Sequence, residues 1–119
     1  MLRHLLSVVL FCLLAIPAAA AELIMVEQPG CGWCAKWDRE IAAIYPKTPE
    51  GRAAPLRRVG LRERPADLTY ARSVLFTPTF VLVENGVELA RIEGYPGEDF
   101  FWGLLGMMLK QNTDFKGTS

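Results

Sequence analysis

Two cysteines separated by two residues, Cys31 and Cys34, are the side chains in this sequence best suited to chemistry. They follow a short apolar run, residues 23–26, and a turn at Pro29 and Gly30. Beyond them, apolar residues recur at helical spacing. The pair is therefore predicted to lie where a strand passes into the first turn of a helix.

The first turn of a helix offers unpaired backbone N–H groups and the positive end of the helix dipole. Both favour an anion, so a thiol there ionises below its ordinary pKa of about 8.5, and the thiolate is the reactive form. We predict that Cys31, which leads the motif, is the catalytic nucleophile. Cys34, one helical turn later, is predicted to resolve a mixed disulfide by attacking Cys31. The pattern thus indicates thiol–disulfide exchange.

The composition argues against other uses of a cysteine pair. The chain has three cysteines and one histidine, and only Cys31 and Cys34 lie beyond the first 21 residues. A zinc site needs four nitrogen or sulfur ligands, and covalent haem attachment needs a histidine where Ala35 stands. A purely structural disulfide would close a very small loop and so stabilise little. We predict no metal and no cofactor other than a redox-active Cys31–Cys34 disulfide.

The N-terminal residues 1–21 have the three-part pattern of a secretory signal peptide. A basic start is followed by an apolar run, then by Pro17 and four alanines that form a small-residue cleavage site. The run is short for a membrane span, which needs about 20 residues, and a retained N-terminal anchor is the alternative. Cys12 lies in this run without the small residues of a lipoprotein box.

Cleavage after Ala20 or Ala21 would leave about 98 residues, enough for one small domain. We predict that domain over residues 22–110 and a flexible, polar C-terminal tail over residues 111–119. Export would place the cysteine pair in a compartment where disulfides form and persist.

The charge pattern gives little sign of a charged partner. The chain has 13 basic and 13 acidic residues, which does not indicate nucleic-acid binding. Four arginines do cluster near the predicted second strand: Arg57, Arg58, Arg62 and Arg64. Such a cluster is usually a solvated edge, with an anion-binding role as the alternative.

Periodicity predicts seven elements in the order β-α-β-α-β-β-α. The strands are residues 22–27, 56–61, 79–83 and 87–93, and the helices are residues 33–45, 65–74 and 98–109, with a loop over residues 46–55. Asn85-Gly86 predicts a tight hairpin between the last two strands, and the first two should be parallel through a right-handed crossover. The expected fold class is α/β, a four-stranded mixed sheet flanked by helices.

Two aromatic features have a structural and a functional interpretation. Trp37 is expected in the core, whereas Trp33, between the cysteines, is expected either to line a contact surface or to pack over the start of the helix. The last predicted helix is apolar nearly all round. It either packs on a sheet face with excess apolar surface or forms a dimer or docking face.

The ordered set of motifs resembles the thioredoxin superfamily over the whole chain beyond the signal peptide. Cys31-Gly32-Trp33-Cys34 is similar to the Cys-Gly-Pro-Cys site, with Trp in place of Pro, and Thr77-Pro78-Thr79 to the loop with the cis-proline that faces the cysteines. The resemblance implies a minimal thioredoxin-like fold. It also implies partner contacts through Gly32, Trp33, Thr77 and Pro78, including strand-like pairing with the Thr77 backbone.

More narrowly, the signal peptide, the residues Gln-Pro-Gly-Cys-Gly-Trp-Cys and the apolar last helix resemble the SoxS family of periplasmic thioredoxin-like proteins from sulfur-oxidation gene clusters. That resemblance implies a periplasmic reductase of disulfides or sulfur-modified cysteines in partner proteins, with a membrane thiol transporter as electron donor. A disulfide donor or isomerase, and a non-catalytic binding or regulatory module, stay open as alternatives.

The sequence departs from the thioredoxin pattern at two positions. Met25 stands where thioredoxins have a buried acid, and Gly30 stands where a Trp usually precedes the first cysteine. Glu27 is the nearest acidic residue, and strand alternation turns it to the same side as Met25. We therefore regard Glu27 as a candidate substitute for the missing acid.

Overall fold

The computed structural model describes residues 21–117. The predicted signal peptide lies outside the described residues except for Ala21, and so do Cys12 and the last two residues of the predicted tail, 118–119. Ala21 is already part of the first strand, in which it pairs with Glu84. Within residues 21–117, no helix is long and apolar enough to cross a membrane.

A four-stranded sheet organises the molecule, as the sequence predicts. Its strands are β1 (Ala21–Glu27), β2 (Leu56–Gly60), β3 (Thr79–Glu84) and β4 (Val87–Glu93). They lie in the order β2-β1-β3-β4, with β1 parallel to β2 and the other neighbours antiparallel. The mixed sheet flanked by helices confirms the predicted fold class.

The two central strands divide the core between the sheet faces. Successive side chains of a strand point to opposite faces, so Met25 and Phe80 enter one hydrophobic cluster while Val26 and Val81 enter the other. The first cluster is the larger, and it contains Cys34. The redox pair thus lies against the aromatic-rich side of the sheet.

The crossover from β1 to β2 is more helical than predicted. Helix α1 (Gly32–Trp37) continues as a π-helical turn (Asp38–Ala42) and is followed by a 3₁₀ turn (Tyr45–Lys47). The predicted loop over residues 46–55 was wrong in part, because it contains a short helix, α2 (Pro49–Ala53).

The start of α2 explains this difference. Thr48 caps the helix by accepting a hydrogen bond from the Gly51 amide at 2.9 Å, and Pro49 occupies the first helical turn. Thr-Pro is a helix-start signal. The prolines and the glycine in residues 46–55 favoured the loop prediction instead.

The predicted helix over residues 65–74 was wrong. The chain between β2 and β3 forms turns and extended segments, and Thr69 bridges Val87 of β4. The Thr69 amide donates to the Gly86 carbonyl at 2.7 Å, and the Ala71 amide donates to the Glu88 carboxylate at 2.9 Å. These tertiary partners replace the helical i−4 carbonyls, so the intermittent apolar residues never form a helix.

The last helix, α3 (Glu98–Asn112), extends beyond the predicted end at residue 109. Phe101, Leu105 and Leu109 are fully buried against the sheet. Phe115, in the predicted tail, also packs against this cluster. On the opposite side of the helix Phe100 and Met107 are exposed, so the excess apolar surface noted in the sequence is real.

Candidate functional site

The two cysteines meet at the start of α1, where the sequence predicts them. They form a disulfide with their Cα atoms 5.2 Å apart. Cys31 is the N-cap of α1, and its Sγ accepts a hydrogen bond from the Cys34 backbone amide at 3.1 Å. That amide is one of the first-turn N–H groups that lack an intrahelical partner, and a hydrogen bond of this kind in the reduced form would favour a Cys31 thiolate.

Burial distinguishes the two sulfur-bearing residues. Cys31 is half-buried, whereas Cys34 is only 5% exposed and belongs to the hydrophobic core. Cys31 is therefore the more accessible of the two cysteines. This difference in burial suits a Cys31 that attacks partner proteins and a Cys34 that reacts only with Cys31.

The residues between the cysteines are open to solvent. Gly32 is exposed, and Trp33 is 59% exposed, with the Lys36 ammonium 5.4 Å from the centre of its ring. Trp37, one helical turn later, is completely buried. Trp37 lies in the core, as expected, and of the two alternatives for Trp33 its exposure favours the surface position, where it adds apolar surface next to Cys31.

A second loop faces this region. The Thr77–Pro78 peptide bond is cis; Thr77 is half-buried and Pro78 is buried. The Pro78 carbonyl accepts a hydrogen bond from the Gly94 amide at 2.7 Å, which ties the loop to the end of β4. Of the two predicted contact residues in this loop, Thr77 is therefore the more accessible.

Gln28 links the two loops, a role that sequence reasoning missed. Its side-chain amide Nε2 donates to Thr77 Oγ1 at 2.8 Å. Because Gln28 lies three residues before Cys31, this bond joins the loop that precedes Cys31 to the loop that contains the cis-proline. In the sequence, only the resemblance to the thioredoxin superfamily indicated that the cysteine motif and the Thr77-Pro78-Thr79 motif lie close together. No local sequence signal indicated the hydrogen bond between Gln28 and Thr77.

Two exposed apolar side chains were also missed. Leu75 is 72% exposed and Phe76 is 59% exposed, immediately before Thr77. They follow residues 65–74, for which the predicted helix was wrong. With Trp33 they add apolar surface to the loops that the Gln28 bond joins, which suits contact with a protein partner.

The candidate acid, Glu27, lies beside the cysteines but is already paired. Its carboxylate accepts a hydrogen bond from Arg58 at 2.8 Å, and the same guanidinium donates to Asp38 at 2.6 Å. Glu27 and Asp38 line a shallow cleft together with both cysteines. Met25 is fully buried in the core, so the acidic groups nearest the site are held at its surface by an arginine.

The structure also shows what two arginines of the predicted cluster bind. Arg58 takes part in the network beside the cysteines, where its hydrogen bond to Asp38 raises the pKa of the guanidinium, against the effect of burial. Arg57 binds both carboxylate oxygens of Asp67, at 2.7 and 3.0 Å. Two of the four arginines are therefore committed to separate ion pairs.

No group of three or more potential metal-ligating side chains occurs within residues 21–117. The redox-active disulfide is the chemical group of the site, and thioredoxin-type proteins need no further cofactor.

The fold and the cysteine pair define a class of protein: a thiol–disulfide oxidoreductase. The chain resembles the crystal structure of the reduced periplasmic thioredoxin SoxS from Paracoccus pantotrophus, with 56% sequence identity and a TM-score of 0.75. The match covers 76% of this chain and 97% of that one. The chain belongs to the thioredoxin superfamily, as its motifs indicated.

A more distant likeness supports the fold alone. Thioredoxin f2 from Chlamydomonas reinhardtii is 15% identical, with a TM-score of 0.55, and the match covers 77% of this chain and 82% of that one. No protein-family model matches the chain. A search of curated proteins likewise finds no match.

Proposed function

We propose that this oxidoreductase acts as a reductase: Cys31 is the nucleophile, and Cys34 is the resolving thiol. The substrates are disulfides or sulfur-modified cysteines of partner proteins. The observation that carries the proposal is the asymmetry of the pair, since the half-buried Cys31 caps α1 while Cys34 is 5% exposed. Only one of the two sulfurs is accessible to a protein substrate.

The reaction proceeds as two exchanges. The Cys31 thiolate attacks one sulfur of the partner's disulfide; a Cys31–partner disulfide forms, and the partner's other sulfur leaves as a thiolate that takes up a proton. Cys34 then loses its proton and attacks Cys31 Sγ. This second step forms the Cys31–Cys34 disulfide and releases the partner's first sulfur as a thiol. Two electrons have passed from the protein to the partner.

Partner recognition is assigned to the surface around Cys31. Gly32 and Trp33 offer exposed contacts on one side, and Thr77 with Pro78 forms the other side, held by Gln28. The Thr77 backbone is proposed to pair with an extended segment of the partner, as in β-strand addition. The exposed Phe76 extends the apolar part of this surface.

The location rests on the similarity to the periplasmic thioredoxin SoxS, and the electron supply rests on the resemblance of the sequence motifs to the SoxS family. We assign the N-terminal segment, residues 1–21, to a signal peptide that is cleaved after Ala20 or Ala21, and the folded chain to the periplasm. Since Ala21 pairs with Glu84 at the start of β1, we favour cleavage after Ala20, which keeps Ala21 in the sheet. Electrons would come from a membrane thiol transporter, and the partners would serve sulfur (thiosulfate) oxidation.

Trapping the mixed disulfide tests the two assigned roles. With Cys34→Ser, we expect a covalent adduct with a disulfide-containing test protein, and the same in periplasmic extract, released by a thiol reductant. Both variants are made in the chain without residues 1–21, and Cys31→Ser is the matched control: it leaves only the buried Cys34 thiol and should form at least about tenfold less adduct. Equal adduct formation by the two variants would contradict the assignment of Cys31 as nucleophile.

A further inference from the structure

The segment that leads into the cis-proline loop, residues 75–78, has no regular secondary structure. It runs from Thr69, which bridges β4, to Thr77. None of residues 69–77 is fully buried, although Tyr70 and Val74 pack against the smaller hydrophobic cluster. With so little apolar burial, hydrogen bonds to the rest of the molecule must fix much of the path of this segment.

Arg91 of β4 holds the segment by two hydrogen bonds to its backbone. The guanidinium donates to the Arg72 carbonyl at 2.8 Å and to the Ser73 carbonyl at 3.2 Å. These carbonyls lie five and four residues before Thr77. Since Gln28 donates to Thr77 from the other side, the cis-proline loop lies between two points of attachment.

Glu88 orients the Arg91 guanidinium. One carboxylate oxygen accepts from Arg91 Nη2 at 2.6 Å, and the other accepts from Nε at 2.8 Å. The first oxygen also accepts from the Ala71 amide at 2.9 Å. The two-point pairing leaves Nη1 and the second N–H of Nη2 for the backbone carbonyls.

The Glu88–Arg91 pair is buried, with both side chains 4% exposed. Replacing a buried ion pair by apolar residues of similar volume is often neutral or stabilising, so stability alone does not account for its presence. A guanidinium held at two points supplies planar, directional donors, which an apolar side chain or a flexible ammonium does not. The feature that this pair alone provides is a fixed set of donors directed at the segment.

We propose that Arg91, oriented by Glu88, is a positioning residue for partner binding, because it fixes the place of the cis-proline loop. The inference rests on the proposed function, in which the Thr77 backbone pairs with an extended segment of the partner. Arg91 acts through the loop, and the exchange steps at Cys31 and Cys34 do not need it. It therefore affects reaction with protein disulfides, which offer such a segment, and not with small disulfides.

Arg91→Lys tests this role, because lysine keeps the charge beside Glu88 but cannot supply both carbonyl bonds. The chain without residues 1–21 is reduced and mixed with insulin, a protein disulfide, or with hydroxyethyl disulfide, and its oxidation is followed by Trp fluorescence. For insulin, the half-saturating concentration should rise at least about fivefold and the maximal rate should stay within about twofold, as expected for lost binding. For hydroxyethyl disulfide, the rate constant should change less than about twofold.

Arg57→Lys is the matched control. Arg57 binds Asp67, which belongs to the same connection between β2 and β3 but lies ten residues before Thr77. This substitution should change the rates with both disulfides less than about twofold. Glu88→Gln is a second variant, for use if Arg91→Lys folds poorly. It removes the charge that orients Arg91, so it should also raise the half-saturating concentration of insulin and not that of hydroxyethyl disulfide.

Backbone-amide NMR spectra separate this inference from the proposed function. The amides of Phe76 and Thr77 should shift in Arg91→Lys and not in Arg57→Lys, whether or not the chain reduces insulin. Unchanged amide shifts would overturn the positioning role. An equal loss of rate with both disulfides, or an equal effect of Arg57→Lys, would also overturn it. If the unmodified chain reduced neither disulfide, the proposed reductase would be contradicted, and the amide shifts would still decide whether Arg91 holds the loop.

Discussion

At the scale of single residues, the two cysteine side chains are chemically identical but differ in exposure, and the proposed roles rest on that difference. The sequence predicted both cysteines, because their spacing and the turn before them are local features. It could not predict Gln28, because the hydrogen-bond partner of Gln28, Thr77, lies 49 residues away. The position of a site residue was therefore predictable where its neighbours in sequence determine it, as for the cysteines, and not where a partner distant in sequence does, as for Gln28.

The Gln28–Thr77 bond gives a prediction at this scale. In a double-mutant cycle with Gln28→Ala and Thr77→Val, we expect a coupling of about 0.5–1 kcal/mol in the free energy of unfolding, because the bond is direct but exposed. Chemical denaturation of the four proteins measures this coupling. Thr77→Ser, which keeps the hydroxyl, is the control and should retain it. Additive effects of the two mutations would mean that the loops are not joined by this bond.

At the scale of elements, the strands were predicted well and the segment between β2 and β3 was not. An alternating apolar run identifies a strand with one buried face, and a short continuous apolar run identifies a strand buried on both faces. These patterns can be read from the strand's own residues. The intervening segment lacks such a run, and Glu88 and Arg91 of β4 determine its path. The Ala71 amide donates to Glu88, and Arg91 donates to the carbonyls of Arg72 and Ser73.

The Glu88–Arg91 ion pair is buried, with both side chains 4% exposed. Burial acts to raise the pKa of Glu88, but the hydrogen bonds from Arg91 and the Ala71 amide hold it below its ordinary value. A carboxylate with a lowered native pKa stabilises the fold at pH values above its unfolded pKa of about 4.3. This contribution is lost as the pH falls through the lowered native value.

We therefore expect Glu88→Gln to destabilise the protein by about 2 kcal/mol at neutral pH, since Arg91 loses its charged partner. The difference from the unmodified protein should shrink as the pH falls below about 4. Thermal or chemical unfolding across this pH range measures it. The exposed Glu63→Gln is the control and should show little effect. A Glu88→Gln penalty that did not change with pH would contradict the assigned ion pair.

At the scale of the whole molecule, the sheet separates two environments. One face, covered by α1 and α3, surrounds Cys34 with aromatic side chains, and the other is covered by the irregular segment between β2 and β3. The sequence left two alternatives for the apolar last helix, packing on the sheet with excess apolar surface or forming a dimer or docking face. Phe100, Leu104 and Met107 are exposed, so α3 has apolar surface available for the second alternative.

Fold class was predictable because it depends on the strands and their order.

The direction of electron flow is a property of the whole molecule, because it depends on the relative stability of the oxidised and reduced forms. A pair that reduces its partners must have a lower reduction potential than they do. The most direct measurement is the reduction potential of this pair in the purified chain, equilibrated against a thiol buffer and followed by Trp fluorescence. We expect about −270 mV, in the range of thioredoxin. A value near −120 mV would identify a disulfide donor and contradict the proposed reductase.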